Sequence, residues 1–290
     1  SAAELAGAYC TRILRYMQKA VREAKLHSSW VLPDADYEAA LESFVLALLT
    51  PGRRNRFLPD FAPFAAYVAR YGRYNSLSQT LLKLTSPGVP DIYQGNELWQ
   101  FNLVDPDNRH PVDHAASAHM LDRLLRELDT APAARPARVR ALLDHAGDGR
   151  AKLFVTWSAL DARRRDENLF RLGDYLPLVV TGARAEHLCA YARRYESRAV
   201  VVLAPRLYVR LTENGAPPLA AVWGDTCVDL APLGPLQGPP CNLLTGCSTA
   251  AVAANGGSAL AVQDVLQDFP VGLMSLRLAS AADAMPAAQA

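Results

Sequence analysis

The sequence predicts an α+β protein, in which a mainly helical part is followed by an antiparallel β-sandwich. Up to about residue 172, apolar residues return every three or four positions, which is the period of an amphipathic helix. Beyond Gly173 the pattern changes to short β-type runs, separated by clusters of glycine and proline. We therefore expect a helical domain at residues 1–173, a β domain at residues 174–279 and a disordered tail at residues 280–290.

The helical part contains several separate amphipathic stretches. They cover Leu5–Lys25, the segment between Asp36 and Pro51, Pro63–Leu84, Ala116–Leu128, Ala137–Ala146 and Lys152–Arg165. Asp34 and Asp36 suit the positive N-terminal end of the second helix. The run Arg163–Arg165 is typical of the solvated C-terminal end of a helix, where basic side chains are favourable.

One short segment in the helical part, Val89–Gly95, has the pattern of a β-strand. It is partly β-branched and bounded by proline and glycine. A single parallel strand cannot satisfy its backbone groups without neighbouring strands. The pattern therefore indicates that the helical part is the tail of a larger β/α domain.

The β domain is predicted from short runs rich in β-branched and aromatic residues. These runs are Leu176–Val180, His187–Ala192, Ala199–Ala204, Thr226–Leu230, Leu260–Ala261 and Val271–Leu278. Glycine and proline cluster between the runs, notably at Gly215–Pro218 and Gly234–Pro240. Hairpin connections of a sandwich require such residues.

Composition and charge narrow the function classes. With 30 basic and 29 acidic side chains the net charge is +1, so no broad attraction to nucleic acid or to an anionic membrane is expected. No apolar run reaches the roughly 20 residues that a membrane-spanning helix needs, and no basic-then-apolar leader opens the sequence. We therefore expect a cytoplasmic protein with a neutral ligand.

The five cysteines are scattered and never form a Cys-x-x-Cys pair, which argues against a zinc site. A small disulfide loop between Cys241 and Cys247 stays open, although free thiols are favoured. His110, His114 and His119 are spaced across Pro111 in a way that does not bring three nitrogens to one metal. His27 could act as a general base or line a site, but a lone histidine after a helix is more often structural.

A family resemblance is carried by three neighbouring segments. Ser86–Trp99 is similar to the eighth barrel strand and following loop of alpha-amylase superfamily enzymes. With Asn75–Lys83 before it and Leu103–Asp113 after it, the pattern resembles maltooligosyl trehalose synthases. The likeness extends to His27–Trp30, Phe170–Tyr175, Trp223–Thr226 and Asn242–Gly246. The sequence departs from the family at Asn96, where threonine is usual, and at His110, where arginine is frequent.

The resemblance implies that the helical part is the C-terminal remnant of a (β/α)8 barrel, with its last helices and strand eight. It implies conversion of the reducing-end α-1,4 linkage of a maltooligosaccharide into an α,α-1,1 linkage, without a cofactor. Superfamily members take their catalytic carboxylates from strands four, five and seven, so the N-terminal barrel portion is an expected partner. No catalytic role is assigned to Asp91, Glu97, Asp105, Asp107 or Asp113.

The resemblance also suggests which residues contact the substrate. Barrel active sites lie at the C-terminal ends of the strands, where the loop after strand eight would line the sugar site. The predicted substrate-binding residues are Tyr93, Gln94, Glu97, Asp105, Asn108 and Arg109. Trp99 adds an aromatic face. The alternative is that residues 105–108 form a turn held by Asx hydrogen bonds and an Arg109 ion pair, and that Glu97 braces the loop.

Two other functions remain open. The β domain could be a carbohydrate-binding module, but its larger aromatic residues do not follow one strand face, which favours a structural role. These residues are Tyr191, Tyr195, Tyr208 and Trp223. The chain could also belong to another alpha-amylase superfamily member, such as a hydrolase, since such enzymes share the strand-eight pattern.

Overall fold

A computed structural model describes residues 5–213, 215–254 and 257–279, and the predicted tail at 280–290 lies outside this range. The α-helices are α1 Cys10–Ala24, α2 Ala35–Leu49, α3 Phe57–Thr85, α4 His114–Asp129, α5 Arg135–Ala141, α6 Arg150–Arg165, α7 Glu167–Arg171, α8 Tyr208–Leu211 and α9 Val262–Val265. The strands are β1 Asp174–Pro177, β2 Val180–Thr181, β3 Leu188–Tyr195, β4 Arg198–Pro205, β5 Cys227–Asp229, β6 Cys241–Asn242, β7 Val252–Ala254, β8 Gly257–Ala261 and β9 Gly272–Arg277.

Every predicted helix is present, with shifted ends. The third begins at Phe57 instead of Pro63, and the fifth ends at Ala141 instead of Ala146. Local caps explain two of the starts. The side chain of Asp34 accepts a hydrogen bond from the Tyr37 amide at 3.0 Å, and Asp113 accepts one from the Ala116 amide at 2.8 Å.

Val89–Gly95 forms a loop, so the strand predicted for it is wrong. Residues 89–93 have no regular secondary structure, and residues 94–97 form a turn. Neither sheet of the described residues includes this segment, and a strand without a neighbour leaves its backbone groups unpaired. Composition alone therefore does not specify a strand here.

The predicted antiparallel β unit is present and consists of two sheets. One sheet has five strands in the order β1-β3-β4-β9-β6, and the other has four in the order β2-β5-β8-β7. All strand pairs in the two sheets are antiparallel. The predicted runs correspond to β1–β5, β8 and β9, whereas β6 and β7 were not predicted.

The five-stranded sheet is covered on both faces, which explains why β4 reads as a continuous apolar run. On one face, Val201 and Leu203 share a core with Val228 and Leu260 of the other sheet. On the opposite face, Val200 shares a second core with residues of α3, α4 and α6. The layers are therefore helices, sheet and sheet, with an interior centred on the middle sheet.

The chain contacts define two compact units. The first comprises Ser1–Ala69 and Phe101–Pro111, and the second comprises Arg70–Gln100 and Val112–Ala290. We call these the small unit and the large unit. This division does not fall at residue 173, because α4–α7 share a core with the sheet. The division into domains at 1–173 and 174–279 stays a prediction about folding units.

Several single-residue predictions can be placed in this fold. Three of the four larger aromatic residues of the β domain are buried, namely Tyr191, Tyr208 and Trp223. None of these three can stack on a sugar, which agrees with a structural role for the β domain. The five cysteines are free thiols. Within the described part of the chain, no helix is both long enough and apolar enough to cross a membrane.

Candidate functional site

A cavity of about 470 Å³ lies within the small unit, between α1 and the loop Phe101–Pro111. Its polar lining combines basic, acidic and aromatic side chains. These are Arg12, Arg15, Tyr16, Asp105, Asp107 and His110. Planar charged groups and an aromatic ring are the side-chain types that bind sugar hydroxyls and pyranose faces. The cavity is therefore a candidate carbohydrate site.

Asp107 anchors the loop to α1. Its Oδ1 and Oδ2 atoms accept hydrogen bonds from Nε and Nη2 of Arg12, each at 2.7 Å, and Oδ2 also accepts the Leu103 amide at 2.7 Å. Arg12 donates a further bond to the Phe101 carbonyl at 3.0 Å. The hydrogen bonds from Arg12 hold the pKa of Asp107 well below its usual range. Asp107 therefore shapes the cavity as a fixed anion.

Asp105 and Arg109 form an exposed pair beside this anchor. Arg109 donates to both carboxylate oxygens of Asp105, at 3.2 and 2.9 Å, and this hydrogen bonding lowers the pKa of Asp105. Lys19 donates to the Asp105 carbonyl at 2.8 Å. Oδ1 of Asn108 is buried and accepts no hydrogen bond from the described residues. The loop thus contains the Arg109 ion pair that was expected if residues 105–108 form a turn. It also contains a buried oxygen, Oδ1 of Asn108, that could accept a hydrogen bond from a ligand.

The predicted residues of the large unit lie in a second loop. The Tyr93 side chain is 49% exposed and Gln94 is exposed, while Glu97 is half-buried. The turn is closed by hydrogen bonds from the Asn96 amide to the Tyr93 carbonyl at 3.0 Å and from the Leu98 amide to the Gly95 carbonyl at 3.3 Å. The Tyr93 ring and the Gln94 amide are therefore open to a ligand.

Lys152 supports this second loop, a role that no sequence pattern predicted. Its ammonium group donates to Oδ1 of Asn96 at 2.6 Å and to the Leu98 carbonyl at 3.0 Å. Burial, and to a smaller extent the positive charge of Lys83, lower the pKa of Lys152, Glu97 opposes both effects, and the resulting pKa is about 8. Lys152 and Asn96 are 56 residues apart, so no local spacing could have predicted the contact.

The predicted site residues thus fall into two groups, one in each unit. Asp105 lines the small-unit cavity, with Asn108 and Arg109 next to it in the loop, while Tyr93, Gln94 and Glu97 share the large-unit loop. Sequence reasoning missed Arg12, Arg15 and Tyr16, which α1 presents to the cavity at helical spacing. The carboxylate of Asp113 caps α4. The His27 ring packs on Tyr37 with centroids 4.9 Å apart, a structural contact.

No family model matches the chain. Two Mycobacterium tuberculosis proteins, from strains CDC 1551 / Oshkosh and H37Rv, carry the name "Putative maltooligosyl trehalose synthase". Each is 32% identical to this chain over 212 residues, which is 73% of this chain and 24% of the relative.

Solved structures match over a longer range. The maltooligosyltrehalose synthase from Arthrobacter ramosus is 32% identical, with a TM-score of 0.71, over 95% of this chain and 31% of that protein. A hypothetical maltooligosyl trehalose synthase from Sulfolobus tokodaii is 23% identical, with a TM-score of 0.59, over 93% of this chain and 29% of that protein, and this likeness supports the fold alone. The chain therefore spans about a quarter to a third of the length of these relatives.

Proposed function

This chain belongs to the maltooligosyl trehalose synthase family, and from that premise we propose that it is part of a (1→4)-α-D-glucan 1-α-D-glucosylmutase. The proposed enzyme converts the reducing-end α-1,4 linkage of a maltooligosaccharide into an α,α-1,1 linkage and releases maltooligosyl trehalose. The observation that carries the proposal is the 32% identity to the Arthrobacter ramosus enzyme over 95% of the chain. Such an intramolecular transfer has no need of a cofactor.

We propose that these residues shape the glucan site, while the bond-breaking groups come from another part of the enzyme. Retaining glycosyl transfer needs a carboxylate nucleophile and a carboxylic acid about 5 to 5.5 Å apart. In the described loops, Asp107 is fixed by Arg12 and Asp113 caps α4, so both carboxylates have structural partners. Substrate contacts are assigned to Tyr93, Gln94, Glu97, Asp105, Asn108 and Arg109.

The partner that supplies the bond-breaking groups is the catalytic barrel portion of the same enzyme. Support comes from apolar side chains that the small unit leaves open: Trp30 is 57% exposed, Val31 87%, Leu32 79% and Phe64 59%. Several large apolar side chains exposed to water in one small unit are unfavourable and are typical of an interface. A cytoplasmic location agrees with the free thiols, since disulfides are rare in that compartment.

A chimera tests the proposed activity. In it, this chain replaces the matching 31% of the Arthrobacter ramosus enzyme. With maltopentaose, we expect the chimera to remove reducing ends and form a trehalose-terminated product, while the isolated 290-residue chain and the Arthrobacter enzyme without its matching region stay inactive. Circular dichroism checks that each protein is folded.

Two results would contradict the proposal. Release of shorter reducing sugars by a folded chimera would indicate a hydrolase of the same superfamily. Conversion of maltopentaose by the isolated chain would show that the catalytic carboxylates lie within it.

A further inference from the structure

Lys152 is a buried cation that donates to two uncharged acceptors. It lies in the first turn of α6 and is 6% exposed. A buried ammonium group is costly unless its hydrogen bonds are made, and Lys152 donates to Asn96 and to the Leu98 carbonyl. Its ammonium group also lies 5.9 Å from the centre of the Trp99 ring. All these contacts are with one short segment, Asn96–Trp99.

Two further contacts join the same segment to the start of α6. The Trp99 indole donates to the Ala146 carbonyl at 2.6 Å. At Gly149, φ is +83°, and a Cβ atom there would lie 3.0 Å from Cδ2 of Leu98, so a side chain would be strained and crowded. We call the contacts of Ala146, Gly149 and Lys152 with Asn96–Trp99 the latch.

We propose that Lys152 is a positioning residue for glucan binding, because the latch fixes the turn that presents Tyr93, Gln94 and Glu97. The inference rests on the proposed function, since it assigns those side chains to the substrate. Geometry carries it: the Asn96 amide bonds the Tyr93 carbonyl at 3.0 Å, and the side chain of the same Asn96 accepts from Lys152 at 2.6 Å. Displacing Asn96 therefore displaces the backbone of Tyr93.

The protonation state of Lys152 gives the latch a distinctive pH dependence. Burial and Lys83 lower the pKa of Lys152 against the opposing effect of Glu97, and the resulting pKa is about 8, whereas a solvated lysine titrates near 10.4. The closed latch therefore holds the proton less tightly than the open one. Between about pH 8 and pH 10.4, raising the pH must favour the closed latch, and below about pH 8 the effect is constant.

Hydrogen exchange on the whole chain tests the latch. In Lys152→Met, which keeps volume but loses the donors, we expect amide exchange at Asn96 and Leu98 to accelerate about tenfold, with exchange in β4 unchanged. Asn96→Ala removes only the side-chain acceptor of the Lys152 hydrogen bond, and it provides the same test if Lys152→Met misfolds. Unchanged exchange at these amides, or equal acceleration in β4, would show that Lys152 has no local role.

Titration separates this role from ordinary packing. Protection of the segment, corrected for intrinsic exchange, should rise with pH above about 8 in the natural chain by at most tenfold per pH unit. The rise should disappear in Lys152→Met and begin at higher pH in Lys83→Gln, because a nearby positive charge is removed. A rise that persists in Lys152→Met would overturn the assignment.

Calorimetry with maltoheptaose distinguishes the two proposals. We expect a severalfold weaker affinity in Lys152→Met. Loosened amides with unchanged glucan affinity would refute the positioning role. If neither the natural chain nor Lys152→Met bound maltoheptaose while the pH-dependent protection was observed, the proposed glucan site would be wrong. The contact of Lys152 with Asn96–Trp99 would still be confirmed.

Discussion

The two units are stabilised by different forces. Among the described residues of the small unit, Cys10 and Val45 are the buried apolar side chains. The large unit holds two extended apolar cores, one on each face of its five-stranded sheet. Apolar burial is insensitive to pH, whereas charged hydrogen bonds are lost when a partner is neutralised. The units should therefore respond differently to core truncation and to acid.

Charged hydrogen bonds take the place of a core in the small unit. Arg22 donates to both oxygens of Glu38 at 2.7 Å, and the Ser28 hydroxyl donates to the same carboxylate at 2.6 Å. These bonds join α1, α2 and the segment between them. The second such link, between Arg12 and Asp107, joins α1 to the cavity loop. The loop that lines the cavity therefore combines polar side chains with few buried apolar contacts, as is common for ligand-binding loops, whose local stability is low.

The largest effect is expected from truncating the core of the large unit. Trp223 is fully buried, and its indole donates to the Pro218 carbonyl at 2.9 Å. We expect Trp223→Ala to lower the free energy of unfolding by about 3 to 5 kcal/mol, because it leaves a cavity and an unpaired carbonyl.

Urea denaturation measures this loss, and Phe64→Ala in the small unit is the matched control. Phe64 is 59% exposed, so its truncation should change the free energy of unfolding by no more than about 0.5 kcal/mol. Similar losses in the two variants would show that the small unit has an apolar core after all.

Acid should affect the small unit first. The hydrogen bonds from Arg22, then from Ser28, lower the pKa of Glu38 to about 2, against an ordinary value near 4.3. A lowered carboxyl pKa gives stability that is present above the ordinary value and is lost as the pH falls through the folded value. Amide exchange in α1 and α2 should therefore accelerate between about pH 4.3 and about pH 2.

The same experiment on Glu38→Gln tests whether protonation of Glu38 causes the faster exchange in acid. The variant should show faster exchange in α1 and α2 already at neutral pH and a weaker dependence on acid, while β3 and β4 stay protected. If β3 and β4 lost protection at the same pH as α1 and α2 in the natural chain, the contrast between the two units would be wrong.

Local pattern predicted most of the fold but few of its polar contacts. The helices and the long strands were predictable because their apolar residues repeat at a fixed spacing. Arg193 and Arg194 were not distinguishable, yet Arg193 is buried and donates to the carbonyls of Phe170 and Gly173 at 2.9 and 2.7 Å. Arg194 meets the exposed Asp174. Which of the two is buried depends on helices packed against the strand.

The candidate site shows the same limit. Tyr93 to Arg109 could be singled out because that stretch resembles a known motif, but its supporting partners are distant in sequence. Arg12 and Asp107 are 95 residues apart, and neither residue type signals the other. Likewise, the strand predicted at Val89–Gly95 is absent because strand formation depends on a neighbour, which local composition cannot supply.

The smallest expected change in stability, and the sharpest test of the site, concern two ion pairs of similar exposure and the same spacing. Arg109 and Asp105 are 67% and 45% exposed, and Arg123 and Glu127 of α4 are 69% and 46% exposed at the same four-residue spacing. Water screens both pairs. Neither Arg109→Gln nor Arg123→Gln should therefore change the unfolding midpoint measurably.

Glucan affinity should separate the two variants. Since Arg109 lies in the proposed sugar site, its replacement should weaken maltoheptaose binding about tenfold in calorimetry, the typical loss for a charged hydrogen bond. Arg123→Gln should bind as the natural chain does. Equal affinities in the two variants would mean that the Arg109 pair only holds its turn.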